Sequence, residues 1–182
     1  MQAKRRPDRP VVLVGLMGAG KSTVGRRLAA ALGTDFVDAD EAIVTAAGMS
    51  IPEIFERYGE PAFRDLERRV VLRLLREAHG VIALGGGAFV DPEIRRAVRE
   101  RAVSVWLRAD LDTLVGRTAR KPGRRPLLMR GDPREILAEL MERRYPVYAE
   151  ADITVDTGPG PVDRVVEEVL SRLCPADAET GR

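Results

Sequence analysis

"VVLVGLMGAGKSTVGRRLAAAL" (11–32) decides the fold. Four apolar, mostly β-branched residues run into a glycine-rich turn, and the turn opens into Val24, Leu28, Ala31 and Leu32, spaced as one face of a helix. Inside it, Gly15-Leu16-Met17-Gly18-Ala19-Gly20-Lys21-Ser22 satisfies G-x-x-x-x-G-K-[ST] in the strand-then-helix context that motif requires. Glycines let backbone N–H groups curl around a phosphate without Cβ clashes, and the helix that begins there adds the positive end of its dipole. The stretch predicts a triphosphate site: Gly18, Ala19, Gly20, Lys21, Ser22 and Thr23 cradle the phosphates, Lys21 reaches the β- and γ-phosphates, and the Ser22 hydroxyl ligates Mg2+.

Outward from this stretch, "DFVDA" (35–39), "VIAL" (81–84), "VSVWL" (103–107) and "DITVD" (152–156) repeat the pattern of short buried strands bounded by Gly, Asp or Arg. Helical spacing separates them, as in Leu66, Val70, Leu74 and Leu75, so strands alternate with helices and a parallel sheet covered on both faces is expected. Ser50 with Glu53 forms a capping box, Asp91 precedes Pro92 and Asp132 precedes Pro133, all signs of helix starts; Gly48, Gly59 and Gly80 stand where C-terminal caps belong. Two stretches exceed a minimal strand–helix alternation. Residues 41–79 pack several helical segments between strands two and three, and 118–131, "TARKPGRRPLLMRG", is basic and broken by Pro and Gly. Both read as insertions over a site.

A chain of 182 residues with 45% hydrophobic residues suits one domain, with residues 1–9 and 175–182 as loose tails. Thirty Lys plus Arg against twenty-eight Asp plus Glu leave a net charge of +2, too balanced to mark a nucleic-acid binder. One cysteine and one histidine rule out an intrachain disulfide and a Cys/His zinc site, and Cys174 and His79 are assigned no chemistry. The basic start, "MQAKRRPDRP", leads into too few apolar residues for a signal-peptide core or a membrane span, so a cytoplasmic protein that contacts neither membrane nor nucleic acid is expected. No apolar interface stands out, and a monomer is the expectation. Lone Trp106 falls in strand four and reads as core.

The triphosphate needs an acceptor. The chain contains no asparagine, so the Asn-Lys-x-Asp guanine-reading motif of GTPases is absent, and a short P-loop chain with two insertions fits a small-molecule kinase. "FVDADEAI" (36–43) ends a strand with Asp38 and Asp40, on the edge where open parallel sheets bind ligands. One carboxylate to hold Mg2+ and one to orient or deprotonate a hydroxyl would complete phosphoryl transfer; the competing reading is a helix N-cap. "VIALGGGAF" (81–89) places Gly85, Gly86 and Gly87 on the same edge, where a flat ring could approach the backbone, with an ordinary strand-to-helix turn as the competing reading.

"GLMGAGKSTVGRRLA", "DADEAI", "FRDLE", "LGGGAF", "RRPLL" and "RRYPVY" occur in the order and near the spacing of the shikimate kinase family, nucleoside-monophosphate-kinase-like P-loop proteins, which the chain resembles from about Val11 to Leu173. The resemblance implies a three-layer α/β fold with a five-stranded parallel sheet of order 2-3-1-4-5, an acceptor-binding region at about 41–79 and a lid at about 118–131. It implies transfer of the ATP γ-phosphate, with Mg2+, to the 3-hydroxyl of shikimate in aromatic amino-acid biosynthesis. Asp40 would hold the acceptor hydroxyls and serve as the candidate base, and Asp38 would place Mg2+. Arg64 and Arg144 would clamp the acceptor carboxylate, with Gly86 presenting backbone to the ring. Arg125 would be the lid arginine that closes on the phosphates, and Arg117 would pack against adenine. Arg143 and Arg124 compete with their neighbours for these roles. Family members often carry arginine after the last strand; "DTGPGPVD" (156–163) has none, which leaves Pro159 or backbone for the adenine. Shikimate is a carboxylate with hydroxyls, so two arginines and one acidic residue match its groups. A gluconate-type kinase and an ATP-binding module without turnover are the alternatives.

Overall fold

The computed structural model describes residues 7–120, 128 and 130–175. Strand β1 (Val11–Val14) is buried along its whole length because it lies in the middle of a sheet with helices on both faces. Parallel β3 (Val81–Ala83) pairs on one side of it and β4 (Val103–Arg108) on the other. Outside these lie β2 (Phe36–Asp38) and β5 (Ile153–Asp156), giving a five-stranded sheet of order β2-β3-β1-β4-β5. This is the expected order, and it sends the P-loop, Asp38, the glycine triplet and Thr157 out from the same carboxyl edge.

Helices connect the strands. They are α1 (Lys21–Leu32), α2 (Ala39–Ala47), α3 (Ile51–Glu77), α4 (Pro92–Arg101), α5 (Leu111–Ala119), α6 (Pro133–Tyr148) and α7 (Val162–Leu173), with a short 3-10 turn at Ala88–Val90. The predicted starts hold. Ser50 and Glu53 satisfy each other's backbone N–H groups, Asp91 accepts from the Glu93 amide at 2.8 Å, and Asp132 accepts from the Arg134 amide at 3.0 Å. The expected insertion at 41–79 is α2 packed on α3, and Trp106 is core as expected.

The C-terminal caps fare unevenly. Gly48 caps α2 in the left-handed region at φ 66°, whereas Gly59 breaks α3 from within, at φ 82° and ψ 170°. Gly80 is no cap: α3 ends on Ala78, and a Cβ on Gly80 would lie 2.1 Å from the Asp35 carbonyl oxygen. Glycine stands there because the chain before β3 runs against the residue before β2. Most of the expected lid, with Arg124 and Arg125, and most of the expected tails lie outside the described residues. Among the described residues no helix is long and apolar enough to cross a membrane.

Candidate active site

Helix α1 begins without a side-chain cap and without an acidic residue in its own first turn, so its leading N–H groups are left to face the cleft. Gly18 and Gly20 hold the loop in front of it at φ 86° and 94°, which other residues adopt only with strain. Lys21 folds over this loop and donates to the carbonyls of Gly15 at 2.7 Å and Leu16 at 3.0 Å. The cleft has a volume of about 410 Å³ and runs from Val162 and Thr157 across the P-loop to Asp38, Asp40, Gly85 and Gly86.

Asp38 closes β2 and serves two elements. Its Oδ2 accepts the Ser22 hydroxyl at 2.7 Å, while its Oδ1 accepts the amides of Asp40 at 2.9 Å and Glu41 at 3.3 Å and so caps α2. Among the described residues no cluster of three or more His, Cys, Asp or Glu could cage a metal. Mg2+ takes one or two protein oxygens and completes its shell from water and substrate phosphates, and Ser22 beside Asp38 could supply such a pair.

The acceptor end is built on the glycine triplet. A Cβ on Gly85 would stand 2.8 Å from Asp40 Oδ1, one on Gly86 3.1 Å from the Arg144 guanidinium, and one on Gly87 2.4 Å from that of Arg64. The three glycines yield their side-chain space to charged groups arriving from α2, α6 and α3, Glu67 Oε2 among them at 3.2 Å from a Cβ on Gly85. Of the competing arginines, Arg144 is the one that faces the site, 9% exposed. Arg143 points outward and pairs with Glu139 at 2.5 Å, its side chain 72% exposed.

Two participants were not assigned roles from the sequence, although their motifs were singled out. Glu67, 2% exposed, accepts Arg64 at 2.8 Å. Burial pushes its carboxyl up from the ordinary value against the pull of Arg64, and the charge of Asp40 adds to the rise. Tyr148, fully buried, donates its hydroxyl to the Gly86 carbonyl, and burial pushes that phenol up to about 12. The only sequence signals were spacings, Glu67 three residues after Arg64 and Tyr148 four after Arg144, which put each pair on one helix face.

Arg117, half-buried on α5, spans the nucleotide end. It donates to the carbonyls of Gly18 at 3.2 Å, Ala19 at 3.1 Å and Gly158 at 2.7 Å, and to Thr157 Oγ1 at 3.3 Å. Burial and then the charge of Arg120 push the guanidinium down from its ordinary value. The segment after β5, which lacks an arginine of its own, is thus tied to the P-loop by one from α5.

The shikimate kinase family model matches residues 17–174. Shikimate kinases of Caulobacter vibrioides and Paramagnetospirillum magneticum are 56% and 55% identical to this chain over 168 residues, which is 92% of this chain and 84% of each of theirs. Among solved structures, shikimate kinase from Acinetobacter baumannii in complex with shikimate superposes with a TM-score of 0.88 at 37% identity, over 91% of this chain and 92% of that one. A gluconokinase from Sinorhizobium meliloti shares the fold, with a TM-score of 0.57 at 21% identity over 93% of this chain and 95% of that one.

Proposed function

The chain belongs to the shikimate kinase family, and from that premise we propose how its residues divide the work. The reaction is transfer of the γ-phosphoryl group of ATP to the 3-hydroxyl of shikimate, with Mg2+. Phosphoryl transfer asks for positioning and for stabilisation of charge on the phosphoryl oxygens. The amides of Gly18 to Thr23 and the start of α1 hold the phosphates, and Lys21 exchanges the carbonyls of Gly15 and Leu16 for the β- and γ-phosphates. Ser22 and Asp38 would hold Mg2+. Bound there, Mg2+ would offset the negative charge of the phosphates.

On the acceptor side Asp40 receives the attacking hydroxyl and takes its proton, while Arg64 and Arg144 clamp the carboxylate. Gly85, Gly86 and Gly87 let the ring lie against the main chain. Residues 41–79 thereby form the acceptor-binding region of a single domain. Arg125, in the lid, brings a further positive charge to the phosphates and helps exclude water; Arg117 borders the adenine. Every group named comes from one chain, so the proposed site is complete without a second copy; a monomer in the cytoplasm remains our reading.

The observation that carries this reading is the glycine triplet, which gathers Asp40, Glu67 and two guanidinium groups around a single turn of main chain. Asp40 and the two guanidinium groups are those that a hydroxylated carboxylate requires. ADP release should be measured with MgATP and shikimate, gluconate or nucleoside monophosphates in turn. Turnover with shikimate alone is expected, and equal turnover with gluconate or a monophosphate would sink the acceptor assignment.

A further inference from the structure

We propose that Tyr148 is a positioning residue for the acceptor, its one hydroxyl holding both the Gly86 peptide and the Arg144 guanidinium in register. This rests on the acceptor site described above and deepens it. Tyr148 lies one helical turn after Arg144 on α6, so both side chains leave the same face of the helix. Its hydroxyl donates to the Gly86 carbonyl, and the Arg144 guanidinium lies close enough for its charge to act on the same phenol. A phenol both donates and accepts, so a single oxygen can serve the two.

The triplet needs such a hold because it has neither side chains nor a strand ladder to orient it. Its outer carbonyls are taken locally: Gly85 accepts from the Ala88 amide and Gly87 from the Val90 amide, both at 3.2 Å. The middle carbonyl is left to Tyr148. Across a trans peptide the C=O and the following N–H point in opposite directions, so a fixed Gly86 carbonyl also fixes the aim of the Gly87 N–H, away from α6. Among the described residues that N–H makes no backbone hydrogen bond, and Gly87 is only half-buried, so the N–H can meet solvent or a ligand.

The ring that carries the hydroxyl is itself confined. Trp106 and Tyr145 pack on it with centroids 5.9 and 6.2 Å away, and Tyr145 is anchored in turn through its own hydroxyl to the Ala109 carbonyl. Burial keeps the Tyr148 phenol protonated up to about 12, so it remains a donor throughout any working pH.

Tyr148→Phe removes one oxygen and keeps the ring contacts. Loss of the shared hydroxyl should raise the shikimate KM about tenfold, leave the ATP KM within about twofold, and lower kcat less than it raises the shikimate KM. In an Arg144→Ala background the same substitution should cost less than in the parent, because part of its effect passes through Arg144. A folded Tyr148→Phe with unchanged shikimate KM overturns the proposal. So does an equal rise in both KM values, which marks a general loosening of the core. Arg64→Ala and Arg144→Ala, run beside it, separate the two levels: if neither moves the shikimate KM, the acceptor site itself is misplaced; if both do and Tyr148→Phe does not, only the role of Tyr148 fails. In the unsubstituted protein, NMR should show a slowly exchanging Tyr148 hydroxyl proton with a through-space contact to the Gly86 Cα protons. Its absence overturns the proposal whether or not Tyr148→Phe folds.

Discussion

Replacing Gly87 with alanine separates the site from the fold more cleanly than truncating an arginine does. Gly87 sits at φ −92° and ψ −11°, a conformation that alanine adopts without strain, so the backbone has no reason to move. The added methyl carbon would stand 2.4, 2.6 and 2.7 Å from the Nη1, Nη2 and Cζ atoms of Arg64, closer than non-bonded atoms can approach. Something must yield, and it is the far end of a flexible side chain. Swinging the guanidinium aside strains its bond to Glu67 at a cost of about 1 kcal/mol, or roughly 2–4 °C in Tm for a domain of this size. The effect on the acceptor is larger. A charge-assisted contact is worth about 1.5–3 kcal/mol, which at 1.4 kcal/mol per tenfold raises the shikimate KM about ten- to a hundredfold. The carboxylate is held in both ground and transition states, so kcat should fall less than KM rises, and the ATP KM should stay near that of the parent. Steady-state kinetics in both substrates, with a melting curve on the same preparation, measure all of this. A folded Gly87→Ala enzyme that binds shikimate as well as the parent would refute the placement of Arg64 at the carboxylate.

Lys21→Met should lower kcat by orders of magnitude with little change in Tm, because Lys21 reaches over the loop to carbonyls at the edge of the cleft and is not part of the apolar core; near-normal turnover would contradict its role at the phosphates. Asp40→Asn keeps the shape that packs on Gly85 but removes the proton acceptor, so kcat should drop on the order of a hundredfold or more, and retention of most activity would exclude Asp40 as the base. For Tyr148 the folded pKa, about 12, lies above the unfolded value of about 10, so its contribution to stability is complete below pH 10 and is lost as pH rises towards 12. Tyr148→Phe should flatten the fall of the unfolding free energy over that window by up to about 2–3 kcal/mol, and an identical alkaline limb in both proteins would show that the shift is absent. Gly116 lies exposed in the middle of α5 with nothing within 4 Å of an added Cβ, so Gly116→Ala should stabilise by about 0.5–1 kcal/mol in chemical denaturation, and destabilisation would show that the position is not open.

Which features could be read from the chain follows from how far each reaches along it. The P-loop is a local object whose parts all lie between Val11 and Leu32, so pattern and context suffice. Strands and helices were legible from short β-branched runs and helical spacing, whereas the sheet order came from the family resemblance, since periodicity says nothing of which strand neighbours which. Arg143 and Arg144 are adjacent in sequence and differ only by a turn of about 100° around α6; burial separates them, and burial belongs to the packed molecule. Gly80 resembled a cap because the residue that demands it, Asp35, lies on another part of the chain. Tyr148 was hidden for the same reason, since its partner Gly86 stands 62 residues away.

Asp38 shows why setting a structural reading against a functional one misdescribes a site of this kind. As a helix cap it was to be weighed against its use at the metal, yet a carboxylate has two oxygens and this one divides them: Oδ1 starts α2, and Oδ2 takes the Ser22 hydroxyl. The bonds that cap the helix are therefore the bonds that aim the carboxylate at the P-loop. Because α2 carries Asp40 in its first turn, the same cap also sets where the acceptor's candidate base stands relative to the phosphates. The glycine triplet works alike on the other strand, its missing side chains making a turn of the fold and a socket for Asp40, Arg144 and Arg64 at once. Geometry between donor and acceptor is thus held by main chain and caps at the ends of β2 and β3, and only the charged tips are left to meet the substrates.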